Sequence, residues 1–157
     1  DIAIITGNFE HYTSRGRLKG FLDAMKEADL IPVDEHIQCG DYSIDGGYEA
    51  MLRIWDTKKR PTAIFISNYD MTIGAYLAIN YLNLKIPDDI SVIGFDNFPL
   101  ANVVNPPLSF AEQPTNEMGT EAGKLLYKRI CGDYSDYPQT IMHKPTMYYK
   151  ESIRKIN

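Results

Sequence analysis

Four short clusters in this sequence hold the side chains that grip small polar molecules: Asn8, Phe9, His11, Tyr12 and Thr13; Asp41 and Tyr42; Asn68, Tyr69 and Asp70; Asp96, Asn97 and Phe98. Acids and amides exchange hydrogen bonds with hydroxyls, and aromatic faces cover the apolar side of a ring. Each cluster follows an apolar run, at 2–6, 35–39, 62–67 and 90–95, and such runs read as buried strands. The clusters therefore fall at carboxyl strand ends, the edge where open α/β sheets bind ligands. One polar loop is ordinary surface; four at one edge predict a pocket. Arg15 and Arg17 sharpen this, because they fall in the first turn of a predicted helix, where the macrodipole disfavours cations. Arg17 and Asp96 would form either a structural ion pair or a clamp, the guanidinium holding two ligand oxygens and the carboxylate two hydroxyls. The clamp is the favoured reading.

Reaction chemistry has little support. There is no Gly-x-Ser-x-Gly elbow, no Walker loop and no Gly-x-Gly-x-x-Gly after the first strand. His11, His36 and His143 are scattered, so neither a metal site nor a cofactor is expected, and no enzyme.

The elements that must position these residues alternate. Helices are predicted over 14–28, with Leu18, Phe21, Leu22 and Met25 on one face and Thr13 or Ser14 as cap; over 44–57, with Tyr48, Met51, Leu52 and Trp55; and over 70–82, with Ile73, Leu77 and Tyr81 inward. Strand–helix alternation with short links implies parallel strands, and the fold class is α/β, a Rossmann-like parallel sheet flanked by helices. Gly94 should let another backbone approach closely. A Pro-rich loop through Pro99, Pro106 and Pro107 leads to Leu108–Ala111. A fourth helix is expected over 116–130, ended by Gly132, then strand-like runs at 140–143 and 146–149.

The 157 residues can hold one ordinary core, or one domain and part of another. Charged residues are 24% and net charge is −5, with dispersed Lys and Arg, which excludes a nucleic-acid binder by electrostatic footprint. No apolar run reaches the roughly 20 residues that cross a bilayer, and no signal peptide is visible. Cys39 and Cys131 lack metal or redox spacing and are expected as reduced, buried thiols, which suits the cytoplasm. The chain opens at Asp1 straight into a strand, which reads as a piece of a longer protein.

Arg15-Gly16-Arg17-Leu18-Lys19-Gly20-Phe21, Arg60-Pro61-Thr62-Ala63-Ile64-Phe65, Met71-Thr72-Ile73-Gly74-Ala75 and Ile86–Asn97, followed by Pro107-Leu108-Ser109, Gln113-Pro114 and Met118–Ala122, resemble the LacI/GalR bacterial transcription regulators. That resemblance implies the second lobe of a type I periplasmic-binding-protein-like fold, with a ligand held between two lobes. Residues 1–112 would be the C-terminal lobe, 113–135 a crossover and helix of the N-terminal lobe, and 136–157 return strands and tail. The DNA-binding headpiece and most of the first lobe would lie outside this chain. By position, Arg17 and Asp96 match paired ligand contacts; Thr13, His11, Tyr42 and Gln113 match pocket-lining positions. Asn68 matches the Asn of an Asn-Asp-x-Met-Ala pattern, from which the chain departs at Tyr69 and Asp70. The implied function is effector sensing that modulates operator binding, with a sugar or sugar-like effector first and a purine second. A periplasmic sugar-binding protein is the alternative. The family dimerises through the third helix and the loop after the fourth strand, here Ile73, Tyr76, Leu77, Leu100, Val103 and Val104, an apolar set larger than solvent-facing elements need.

Overall fold

The computed structural model describes residues 1–96 and 99–155; Asn97, Phe98 and the side chains of Pro99 and Leu100 lie outside the described residues. Strands β1 (Ile2–Thr6), β2 (Ile37–Cys39), β3 (Ala63–Ile66), β4 (Ser91–Phe95), β5 (Ser109–Glu112) and β6 (Thr146–Tyr148) form one sheet in the order β2-β1-β3-β4-β5-β6. Pairing is parallel from β2 through β5, and β6 runs antiparallel to β5. The four expected parallel strands are present, and Ser109–Glu112 adds a fifth. The run at 140–143 forms no strand: β6 takes the pairing edge of β5, through Glu112 with Thr146 and Phe110 with Tyr148.

Helices α1 (Tyr12–Glu27), α2 (Ile44–Trp55) and α3 (Tyr69–Tyr81) match the expected elements to within a turn. Strand alternation sends Ala3, Ile5, Ile64, Ile66 and Val92 into one fully buried cluster with Ala50, Met51 and Ile54 of α2 and Met71, Ala75, Ala78 and Ile79 of α3. α1 packs against β1. Of its expected apolar face only Met25 is fully buried; Leu18, Phe21 and Leu22 are half-covered. The helix begins at Tyr12 with His11 as N-cap, so neither Thr13 nor Ser14 caps it.

The inward face of α3 also differs from expectation. Met71, Thr72, Gly74, Ala75, Ala78 and Ile79 are buried, while Leu77 and Tyr81 point out. The cause is a backbone-close crossing of α2 and α3: a Cβ on Gly74 would meet the Ile44 carbonyl oxygen at 1.9 Å, and one on Gly47 would meet the Met71 backbone at 2.4 Å. Small residues must face that crossing, which turns the large ones outward. Gly94 likewise accommodates the Leu108 side chain, 3.0 Å from where its Cβ would stand, rather than another backbone.

Helix α4 (Thr115–Ile130) forms as expected, and Gly132 follows it with φ +80°. None of its residues is buried. Cys131 just beyond is exposed and Cys39 half-buried, so neither is the fully buried thiol expected; the loop after α4 packs on Arg129 through Asp136 and the Tyr134 and Tyr137 rings and leaves Cys131 uncovered. The return segment is anchored to the sheet instead. Buried Ser152 donates from Oγ to the Val92 carbonyl (2.7 Å) and accepts from the Ser109 amide (2.7 Å). At the crossover, hydrogen bonding to the Glu112 carboxylate raises the Tyr148 phenol above its ordinary pKa.

Candidate ligand site

The four strand ends place the described residues of the predicted clusters along one edge, with three contact groups among them. The first centres on Tyr42. It follows β2 with φ 57°, and Gly7 leaves room for its ring: a Cβ at Gly7 would stand 2.2 Å from ring carbons. The Tyr42 hydroxyl hydrogen-bonds Thr13 Oγ1 (2.9 Å) and the buried Ser14 Oγ (2.7 Å), and its ring stacks on His11 with centroids 5.8 Å apart and planes 11° apart. His11, Thr13 and Tyr42 are thus brought together, and a broad aromatic face is held at the edge. Ser14 and Gly7 were not anticipated; their signal was a small residue on either side of the first polar loop.

The second group centres on Arg17. It leaves α1 toward the sheet, donates to the Ser67 carbonyl at 2.6 Å, and lies over the Phe95 ring at 4.0 Å from its centroid. Stacking on an aromatic face is a geometry that guanidinium tolerates and ammonium does not match. Phe95, next to Asp96, was missed as a site residue because its place in an apolar strand reads as core. Arg15 turns back on its own loop, donating to the Glu10 carbonyl at 2.6 Å.

The third group joins Asp96 and Gln113. Asp96 sits beyond β4 with φ 73°, its amide donating to the Ala111 carbonyl at 2.7 Å. Gln113 Nε2 donates to its Oδ1 at 2.7 Å. One carboxylate oxygen is oriented by the crossover, and among the described residues no side-chain donor engages the other. Among the described residues no ion pair links Arg17 to Asp96; each is held by its own neighbours. Asn68 is N-cap of α3, its Oδ1 accepting from the Met71 amide at 3.2 Å, which leaves its amide donors for other partners. An apolar cavity of about 360 Å³ adjoins the third group, lined by Tyr12, Phe95, Gln113, Pro114, Met118 and Met142 among others. Fixed carboxylate, amide, guanidinium and aromatic groups at one edge suit recognition of a small ring with several hydrogen-bonding groups. No group of three His, Cys, Asp or Glu among the described residues is arranged to hold a metal.

Residues 1–153 match the family described as the periplasmic binding protein-like domain. The HTH-type transcriptional repressor PurR of Proteus mirabilis is 39% identical over 153 residues, 98% of this chain and 45% of that protein. A solved putative transcriptional regulator LacI from Bacillus cereus subsp. cytotoxis superposes with a TM-score of 0.92 at 26% identity, over 99% of this chain and 55% of that one. A transcriptional regulator CelR–cellobiose complex superposes with a TM-score of 0.89 at 28% identity, over 96% of this chain and 46% of that one. The chain spans about half the length of the curated relatives it matches.

Proposed function

The chain belongs to the periplasmic binding protein-like family, in the form carried by LacI/GalR-type regulators, and from that premise we propose that it is the effector-sensing part of a DNA-binding transcription regulator. The observation that carries the reading is the carboxyl edge itself: Arg17 stacked on Phe95, Asp96 oriented by Gln113, and Tyr42 braced by Thr13 and Ser14. Arg17, Asp96, Thr13, His11, Tyr42, Asn68 and Gln113 contact the effector, which closes between this lobe and a second one. Residues 1–112 form the C-terminal lobe, 113–135 cross into the other, and 136–157 return. α4 supports that division, since none of its residues is fully buried and only Glu121, Leu125 and Arg129 are half-covered, so its apolar residues need a partner surface. Operator contact belongs to a headpiece outside these residues, and the protein works in the cytoplasm; no helix among the described residues is long and apolar enough to cross a membrane.

The effector is a sugar or sugar-like molecule, supported by the mix of carboxylate, amide and aromatic groups and by the cellobiose bound to CelR. A purine is the second reading, which the flat His11–Tyr42 stack favours. A thermal-shift screen of the intact protein against mono- and disaccharides, nucleosides and purine bases separates them. A stabilisation of roughly 2.7 kcal/mol accompanies ligand at 100 times its Kd. The sugar reading fails if only the bases stabilise the protein.

The regulator is also a homodimer through the outer face of α3 and the loop after β4. Leu77 (50% exposed), Tyr81 (69%) and Val103 (73%) support this, with Ile73 and Val104 half-buried beside them. Leu100 belongs to the same loop, its side chain outside the described residues. Tyr76 contributes only its outer ring, because its hydroxyl is buried in its own subunit and that burial pushes its pKa up. Leu77→Glu sets a charge against the apolar patch and weakens self-association by about 2 kcal/mol or more, roughly 30-fold, in sedimentation equilibrium. An unchanged dimer would move the interface elsewhere.

A further inference from the structure

A second cavity, of about 440 Å³, opens at the opposite edge of the sheet, beside the carboxyl-terminal ends of α2 and α3. It is lined by Leu52, Arg53, Trp55, Asp56, Arg60 and Leu82. Arg60 precedes β3 and Leu82 precedes β4, so this groove lies at the amino ends of the strands, a strand length (roughly 15 Å) from Asp96. We propose that it is a second ligand site, taking a flat aromatic ring that bears a carboxylate.

Three features support that chemistry. The Arg60 guanidinium lies over the ring of Trp55, the only tryptophan in the chain, at 4.9 Å from its centroid. Its Nε donates to the Trp55 carbonyl at 3.3 Å, which fixes the plane and direction of the group and satisfies one of the last carbonyls of α2. No acceptor among the described residues engages the remaining fork, although Asp56 lines the same groove. A guanidinium held at Nε with both terminal nitrogens open is preorganised for bidentate capture of a carboxylate. Arg53, by contrast, is fully used: it donates to Gln38 Oε1 at 2.8 Å and to the Cys39 carbonyl at 3.1 Å, and it pairs with Glu49. Arg53 therefore acts as wall and Arg60 as hook.

The ring requirement comes from the rest of the lining. Leu52 and Leu82 give apolar lining beside the Trp55–Arg60 stack, and the volume falls in the range of small-molecule sites. A bare anion would leave those walls wet, and a neutral ring would leave the fork unpaired. The site is independent of the effector cleft, since no residue is shared between them.

The test titrates the intact protein with benzoate, followed through the Trp55 indole N–H resonance, which is identified by its loss in Trp55→Phe. Acetate supplies the charge without the ring, and benzyl alcohol the ring without the charge. The proposal predicts saturable binding of benzoate alone, weakened at least tenfold in Arg60→Gln and unaltered in Asp96→Asn. Arg60 is exposed, so its replacement leaves the core intact. A shift that does not saturate, equal binding by Arg60→Gln, or equal binding of benzyl alcohol overturns it. So does loss of benzoate binding in Asp96→Asn, which would place the ligand in the effector cleft.

Discussion

Replacing Asp96 with Ala is expected to weaken effector binding by about 2–5 kcal/mol, roughly 30- to 4,000-fold in Kd. The carboxylate stands where β4 ends, with Gln113 holding one oxygen at 2.7 Å. Hydrogen bonds to a charged acceptor are worth more than neutral ones, and effector hydroxyls left without that acceptor inside a closed cleft bear a desolvation cost as well. The backbone complicates the Ala variant, because Asp96 has φ 73° and Ala tolerates that region less readily than Asp or Asn. Asp96→Asn is therefore the matched control: it keeps the turn and an oxygen for Gln113 while removing the charge. Calorimetric titration of both variants with the effector identified by the thermal-shift screen reads the effect directly. Unchanged affinity in both would remove Asp96 from the binding site.

Met71→Ala is expected to lower the free energy of unfolding by about 2–5 kcal/mol, with an unchanged m-value in urea. Met71 is fully buried at the start of α3, where three elements converge. Its sulfur lies 2.7 Å from where a Cβ on Gly40 would stand, and its backbone 2.4 Å from the same point on Gly47. The methionine thus fills the space between β2's outgoing turn and the α2–α3 crossing, and its loss leaves a cavity that rigid backbone on two sides cannot close. Because Gly40 leads directly to Tyr42, the same substitution should also weaken effector binding. A loss below 1 kcal/mol would mean that the crossing relaxes more than its close backbone contacts imply.

These two residues also mark what the sequence discloses and what it withholds. Asp96 was legible because an apolar run of β-branched residues ended in an acid, and strand direction then fixed the edge to which it belongs. The first four strands and first three helices were legible for the same reason: their periodicities are local. The inward face of α3 was not. Ile73, Leu77 and Tyr81 repeat at helical spacing and look like a core stripe, but packing at backbone distance selects Gly74, Ala75 and Ala78 for the inside. Residue size misleads where helices touch through their smallest residues. β5 was obscured by its flanks, Pro106-Pro107 just before it and Gln113-Pro114 just after it, which read as loop. Within the site, positions were legible and partners were not: Tyr42 meets Ser14, 28 residues away, and Arg17 meets Ser67, 50 away. Asn68 carried a polar side chain to the expected edge, yet its oxygen is committed to capping α3, which local spacing alone does not reveal.

On the proposed reading the domain binds effector better in one lobe arrangement than in another, so effector and operator would influence each other's affinity. The most direct measurement is fluorescence anisotropy of a labelled operator titrated with the intact regulator, with and without saturating effector, in wild type and in Asp96→Asn. The account predicts at least a fivefold change in operator affinity on adding effector to wild type, and little or none in Asp96→Asn at the same effector concentration. An operator affinity indifferent to a bound effector, or an equal response in Asp96→Asn, would contradict it.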